Sequence, residues 1–305
     1  MKYRLWVIGG LLIIAGWAVL SDIVDENGDG EADWGQLEGG WSNIKIFFEE
    51  SMWPPDWKIL EARSWPPCEE ANEFYCSVAY IGMVETIKIA FIATALGFIV
   101  ALPLSVLSAR NLVPIWVAIP FRIVLAATRS LPSIIWAIFF VIIIGFGPLS
   151  GVFAMTFYTI GYLGKLQYES IEGMVSGPLE AGRAMGLQRH EIVLGIVIPE
   201  SSNHLLSQLM FMFEYNVRHG TVVGIVGAGG IGYYINTYLK MLQYQKVFAL
   251  LIVVFVVVVV IDLLSMLIRS FVNEEGDVKR PGWFGVLLTP AQALKRFHRV
   301  GAEEE

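Results

Sequence analysis

Three short stretches carry residues whose types and spacing could do chemistry. "DENGDGEAD" (25–33) sets Asp25, Asn27, Asp29, the carbonyl of Glu31 and Asp33 at positions 1, 3, 5, 7 and 9 of a calcium loop, with Gly30 at the turn position. Position 12, where a bidentate Glu belongs, is Gln36, with Glu38 as a substitute; an acidic linker is the competing reading. "GAGGIG" (227–232) fits the phosphate-cradling pattern G-x-G-x-x-G. The acid expected about twenty residues later falls instead within "ALLIVVFVVVVV". Gly224, Gly227, Gly229, Gly230 and Gly232 are therefore read as close backbone packing or a helix break. "EAGRAMGLQRHEIVLGIVIP" (180–199) crowds Glu180, Arg183, Gln188, Arg189, His190 and Glu191 between long apolar runs. No G-x-x-x-x-G-K-[ST] loop is present, and four scattered His residues with no H-E-x-x-H supply no catalytic or metal set. The chain does not read as an enzyme.

The elements around these stretches are built for lipid. Of 305 residues, 55% are hydrophobic and 16% charged, with mean hydropathy +0.60, against about 25% charged in a soluble domain. Apolar stretches lie near 5–20, 87–107, 113–127, 131–147, 150–166, 192–213 and 247–268. Several approach the ~20 residues a helix needs to cross a bilayer, and the short alternating segments of an outer-membrane barrel are missing. An all-α polytopic membrane protein is expected. Residues 21–80 hold fourteen acids against Lys45, Lys58 and Arg63, so they carry most of the acidity behind the net charge of −7. That distribution argues against nucleic acid as a partner.

The same charges set the topology. Lys2 and Arg4 precede the first stretch, and Arg269, Lys279, Arg280, Lys295, Arg296 and Arg299 follow the last. Both termini are then cytoplasmic and 21–80 lies outside. A cleaved leader competes for residues 1–20, but no small-x-small site follows cleanly and an uncleaved anchor is favoured. Two inside termini require an even number of crossings. The stretch 113–127, short and holding Pro120 and Arg122, reads as an interfacial elbow or the lower part of a bent helix ending at 147. Six crossings remain: an N-terminal anchor (1–20), an acidic external segment (21–80), a membrane core (81–272) and a cytoplasmic tail (273–305). Residues 180–199 fall on the cytoplasmic side, between the fourth and fifth crossings.

There, Gly177 reads as a helix cap, Pro178 as the first helical residue and Glu180 as its dipole-matched acid. Gly186 permits a turn, and a second short helix is expected from about 188, with Pro199 inside the next membrane entry. A plain connecting loop is the bland alternative. The spacing Glu180-Ala181, then Gly186, nine residues, and Ile196-Val197-Ile198-Pro199 resembles the EAA signature of ABC-importer permeases, departing at Gly182 and Ile198. The resemblance implies coupling helices over about 177–195 that seat on cytoplasmic ATPases, with Glu180, Ala181, Gly182, Gly186 and Pro199 as coupling residues. ATP and Mg²⁺ would sit on that partner, and no cofactor is intrinsic apart from calcium at 25–36.

The flanking spans narrow the family. "ETIKIAFIATALGFIVALPLSVLSARN" (85–111), "RSLPSIIWA" (129–137), "GFGPLSGVFAMTFYTIGYLGKL" (145–166), "EYNVRHGTVVGIVGAGGIG" (214–232) and "YQKV" (244–247) resemble phosphonate-type importer permeases. A more distant likeness to methionine importers covers fold and glycine run only. The resemblance implies a five-helix permease core beside the anchor, in a bacterial inner membrane. It also implies two identical copies forming one pathway, a pair of ATPases, and a periplasmic or lipid-anchored binding protein that delivers phosphonate, phosphite or hypophosphite. Another small solute, such as an amino acid, is the alternative cargo. A secondary transporter is the alternative class, and would show repeated halves and mid-membrane ionisable residues.

Arg218 and His219 are read as lying outside the fifth span, where an anion would enter, and with Gly227, Gly229, Gly230 and Gly232 they are the translocation or gate candidates. Interfacial anchoring and a Glu214–Arg218 helical pair are the structural alternatives. Asp262, within the last span, is expected either to pair with another helix or to cap a polar pocket. Cys68 and Cys76, with seven residues between them in an oxidising compartment, could pair as a disulfide or stay free. Trp53, Trp57 and Trp65 fit an interfacial belt.

Overall fold

A computed structural model describes residues 2–24, 35–63 and 73–272. The calcium ligands expected at Asp25, Asn27, Asp29, Glu31 and Asp33, together with Cys68 and the tail 273–305, lie outside the described residues. The chain divides into two compact units, Met1–Ser265 and Met266–Glu305; of the second, only the last turns of one helix are described.

Among the described residues the structure is helical, with one isolated bridge, Ala62 to Ser77. In order the helices are α1 (Lys2–Val24), α2 (Gly35–Phe47), α3 (Val78–Ser108), α4 (Ile115–Ser130), α5 (Ser133–Ile144), α6 (Pro148–Glu172), α7 (Ser176–Ala184), α8 (Arg189–Ile192), α9 (Ile198–Ile225), α10 (Ile231–Lys240) and α11 (Tyr244–Val272). Two helices, Val78–Ser108 and Tyr244–Arg269, are long and apolar enough to cross a membrane. A third span results if α4 and α5, bent by 85°, form one.

The pairing of α3 with α6 holds the centre together. Ala90, Ala93, Thr94, Gly97, Ala101, Ser105 and Ser108 recur every three or four residues on α3 and are all buried. Small side chains let two backbones approach closely where lipid gives no hydrophobic drive to associate. A Cβ on Gly97 would overlap the Thr159 side chain of α6. Gly161 and Gly164 of α6 admit α4 in the same way, at Thr128 and Leu125.

The break between α4 and α5 has a local cause. Pro132 excludes the preceding residue from helical geometry, and Leu131 sits at φ −98°, ψ 138°. The Trp136 indole nitrogen donates to the Thr128 carbonyl at 2.9 Å, satisfying one of the acceptors a helix end leaves open. Leu125 meets Gly164, Thr128 meets Gly161, and Phe140 meets Phe157 and Phe153. The partners therefore advance steadily down α6, as one broken, antiparallel element would. Outside the core, Phe47 and Phe48 pack edge-on against Tyr244 and Phe248 of α11, tying the segment after α2 to that helix. Cys76 is buried and disulfide-bonded.

Candidate functional site: a two-helix loop and a polar helix face

The 180–199 stretch is two helices meeting at a left-handed glycine. α7 begins at Ser176, not at Pro178, and its N-cap Val175 has no side-chain cap. Pro178 is thus third in the helix, where its missing N–H has no partner to lose. At the other end Gly186 takes φ +77°. Its N–H bonds the Arg183 carbonyl at 3.0 Å, and the Leu187 N–H bonds the Gly182 carbonyl at 3.2 Å, the Schellman closure that favours glycine. Gln188 and Glu191 form a reciprocal cap on α8.

The second short helix expected from about 188 does not stand alone. α8 continues through a π-turn, Val193–Val197, directly into α9. Pro199 supplies the reason: it can neither accept the preceding turn's geometry nor donate back to it, and a widened turn absorbs the mismatch. The loop is therefore one rod with the 28-residue α9.

Two faces of α7 differ. Leu179 and Gly182 are buried, while Glu180, Ala181 and Ala184 are exposed between the apolar Val175 and Met185. The Glu180 carboxylate makes no ion pair or hydrogen bond among the described residues. On the inner side, Leu179, Ile192 and Val197 share one buried cluster with Ala109 at the end of α3 and Ile171 at the end of α6. Glu172 strengthens that joint by accepting the Arg110 N–H at 2.6 Å and pairing with Arg122. Arg122, whose Nε donates to the Ser108 carbonyl at 2.8 Å and whose guanidinium lies 4.5 Å over Tyr168, braces three elements.

Gly182 stands where the signature has alanine. A Cβ there meets the far end of Ile196, with Ile192 Cγ1 at 3.6 Å and Leu187 Cδ1 at 3.7 Å in ordinary contact. Gly182→Ala is therefore expected to retain wild-type stability, since a flexible methyl can swing aside. Gly182→Leu should lower the thermal midpoint of the purified protein through overpacking of about 1–3 kcal/mol.

The second constellation lies along α9. Arg218 and His219, expected outside the fifth span, lie within α9, which runs unbroken to Ile225. Asn216, fully buried, donates to Thr94 of α3 and Thr159 of α6, each at 2.9 Å. Arg218 pairs with Glu214 one turn back and with Asp262 of α11 at 3.4 Å, so it is shared by two carboxylates. The His219 ring stacks on Tyr215 at 3.9 Å, with Nδ1 3.4 Å from the Ser133 hydroxyl. Tyr215 donates to the Tyr158 hydroxyl at 2.9 Å, and Tyr162 stacks beside both. Phe211, Arg218, Val222 and Ile225 form an exposed stripe on the same helix.

Asn216→Ala tests how firmly this core is pinned. Interhelical side-chain bonds in membranes contribute about 0.6 kcal/mol each, up to about 1.7. Losing two should destabilise the solubilised protein by about 1–3 kcal/mol, read as a lower unfolding midpoint.

The glycine run closes the opposite end. Gly227, Gly229 and Gly230 all have positive φ, at 91°, 82° and 72°. The Gly227 carbonyl accepts from Gly147 at 3.0 Å, and Ile231 N–H donates to Thr86 of α3 at 2.9 Å. These bonds hold the α9–α10 hairpin on the ends of α3 and α6; nothing there resembles a nucleotide cradle. On α10, burial pushes the Tyr234 and Tyr238 phenols above their ordinary value, with Arg63 opposing at Tyr234, so both remain neutral near pH 7. Sequence reasoning missed Thr94, Thr159, Ser133 and Tyr158, whose partners lie 57 to 122 residues away.

Comparison with known proteins follows the same lines. Residues 101–273 match the model of the family described as binding-protein-dependent transport system inner membrane component. HtxC of Stutzerimonas stutzeri, a permease protein ascribed to phosphite transport, is 35% identical over 237 residues, covering 77% of each chain. PtxC of the same organism, a phosphite transport system permease protein, is 31% identical over 265 residues, covering 87% of this chain and 86% of its own. The inward-facing MetNI methionine ABC transporter superposes with a TM-score of 0.57 at 24% identity, over 63% of this chain and 95% of the matched chain. That last likeness concerns the fold alone.

Proposed function

The chain belongs to the family of binding-protein-dependent transport system inner membrane components, and from that premise we propose that it is the permease subunit of an ATP-driven importer for phosphonate or a related phosphorus oxyanion such as phosphite or hypophosphite. The observation that carries the substrate class is the alignment with two phosphite-transport permeases over more than three quarters of the chain. An exposed, unpaired Glu180 on a rigid helix, joined through a buried cluster to α3, α6 and α9, supports the coupling role. ATP hydrolysis belongs to a separate cytoplasmic subunit that seats on α7, and an external binding protein delivers the cargo. In this reading the α7 end of the bundle and both termini face the cytoplasm.

Two copies build the pathway. A half-exposed Arg218 is costly against hydrocarbon, so the stripe at Phe211, Arg218, Val222 and Ile225 faces water and the second copy. Because two carboxylates already hold Arg218, the donors that meet an anion at this level are His219, Ser133 and Tyr158, whose hydroxyl proton is free when it accepts from Tyr215. The glycine run at 227–232 gates the outer end. Val222→Cys should react with a charged, water-soluble thiol reagent, and Ile142→Cys, 78% exposed on α5, should not; equal labelling would contradict the assignment.

The cargo is tested on the cognate binding protein by calorimetry against phosphonate, phosphite, hypophosphite and free amino acids. A phosphorus oxyanion should bind tightest. Tight binding of an amino acid alone would return the chain to the alternative cargo.

A further inference from the structure

A groove of about 820 Å³ opens between the end of α3, the start of α4 and the α7–α8 loop. Val106, Leu107, Leu112, Val113 and Val117 form one wall, and Leu179, Leu187, Ile192, Val193 and Leu194 the other. Its polar lining is Arg183, Arg189 and His190, with no carboxylate among the lining residues. A basic rim on an aliphatic slot is a specific combination. Arg183 is committed in part, since its guanidinium donates to the Asn111 carbonyl; Arg189 and His190 are exposed.

Its position limits the occupant. The α4 residues beside it, Ile115, Trp116, Ile119 and Ile123, are exposed and apolar, as a surface against lipid would be. Leu179 and Arg183 lie one turn apart on α7 and turn into the groove, whereas Glu180, Ala181 and Ala184 look outward. The groove is thus on the membrane side of α7, away from the face assigned to the ATPase. Basic pockets between helices on the cytoplasmic side suit anionic lipid headgroups, and aliphatic walls suit acyl chains.

We propose that this groove binds an anionic phospholipid of the inner leaflet, acyl chains between α3, α4 and α8 and phosphate on Arg189 and His190. The inference rests on the membrane placement given above, with the α7 end cytoplasmic. A lipid so placed wedges the coupling loop against α3 and α4, making coupling responsive to bilayer composition.

The test uses the full chain in nanodiscs of phosphatidylcholine with added cardiolipin, followed by native mass spectrometry of the released protein. Wild type should retain cardiolipin over phosphatidylcholine. The double variant Arg189→Gln/His190→Gln should retain about tenfold less, by loss of the Arg189 charge and the His190 ring donor at the headgroup. Val113→Asp, which puts a carboxylate in the apolar wall and spares Arg189 and His190, should lower retention as well. Unchanged retention in both variants overturns the proposal. Displacement of cardiolipin by inorganic phosphate overturns it in favour of a free-anion site, and loss of ATPase binding with lipid retention intact overturns it in favour of a protein partner. The assay needs neither ATPase nor cargo, so failure here is separate from failure of the transport reading, which uptake measures.

Discussion

Gly232→Ala should leave almost no folded protein in the membrane. The added Cβ would overlap the Thr221 carbonyl oxygen, and would lie 2.9 Å from both Gly224 Cα and the Thr221 carbonyl carbon. All three are backbone atoms, so no rotamer change relieves the clash. Either α9 or α10 must shift, which breaks the Ile231–Thr86 bond and the Gly147–Gly227 bond that hold the hairpin on α3 and α6. Overpacking of side chains costs about 1–3 kcal/mol; a backbone collision with loss of buried hydrogen bonds exceeds that and approaches the whole stability of a domain, about 5–15 kcal/mol. Gly177→Ala, with nothing within 4 Å of its new methyl, is the matched control and should accumulate normally. Fluorescence-detected size exclusion of the two variants decides between them. Equal monodisperse peaks would mean that the hairpin is looser than this packing.

Glu180→Lys should fold as wild type and abolish transport. The residue is exposed and bonded to nothing among the described residues, so reversing its charge disturbs no internal contact. Its effect must come through a partner. Charge loss at a carboxylate that a partner buries costs about 2–5 kcal/mol, which corresponds to an ATPase affinity about 30-fold weaker or worse. Co-purification of the permease with its ATPase should therefore fail for Glu180→Lys and persist for Gly182→Ala. A Glu180→Lys chain that retained the ATPase and full uptake would remove the coupling role from α7.

The difference between these two sites explains how far the sequence could be read. The 180–199 loop is local: Glu180, Gly186 and Pro199 carry their meaning at fixed spacing, and the turn at Gly186 follows from glycine's access to positive φ. What the spacing could not convey is that α8 flows into α9, because nothing in it marks a π-turn ahead of Pro199. The glycine run was legible as close packing, though not which glycine is indispensable; what sets Gly232 apart from Gly177 is the backbone of Thr221 and Gly224 beside it.

The polar face of α9 was the least legible part. Glu214, Asn216, Arg218 and His219 within six residues resemble the end of a span by hydropathy. Glu214 pairs with Arg218 one turn on, and the other three are met by groups distant in sequence: Thr94 and Thr159 for Asn216, Asp262 for Arg218, Ser133 for His219. Hydropathy counts each polar residue as unpaired, whereas paired groups can be carried within a bundle. The same blindness shortened α3, which begins at Val78 with a Ser77 cap, nine residues before the apolar stretch suggests.

ATP-dependent uptake is the most direct measurement of the central claim. The chain is reconstituted into proteoliposomes with its cognate ATPase enclosed and its binding protein outside, and accumulation of phosphite, hypophosphite and a simple phosphonate is followed with and without internal ATP. Accumulation of at least one phosphorus oxyanion should require ATP and the binding protein together, and should vanish with Glu180→Lys. Uptake driven equally by an ion gradient without ATP, or none of any phosphorus oxyanion from a complex that hydrolyses ATP in response to the loaded binding protein, would contradict it.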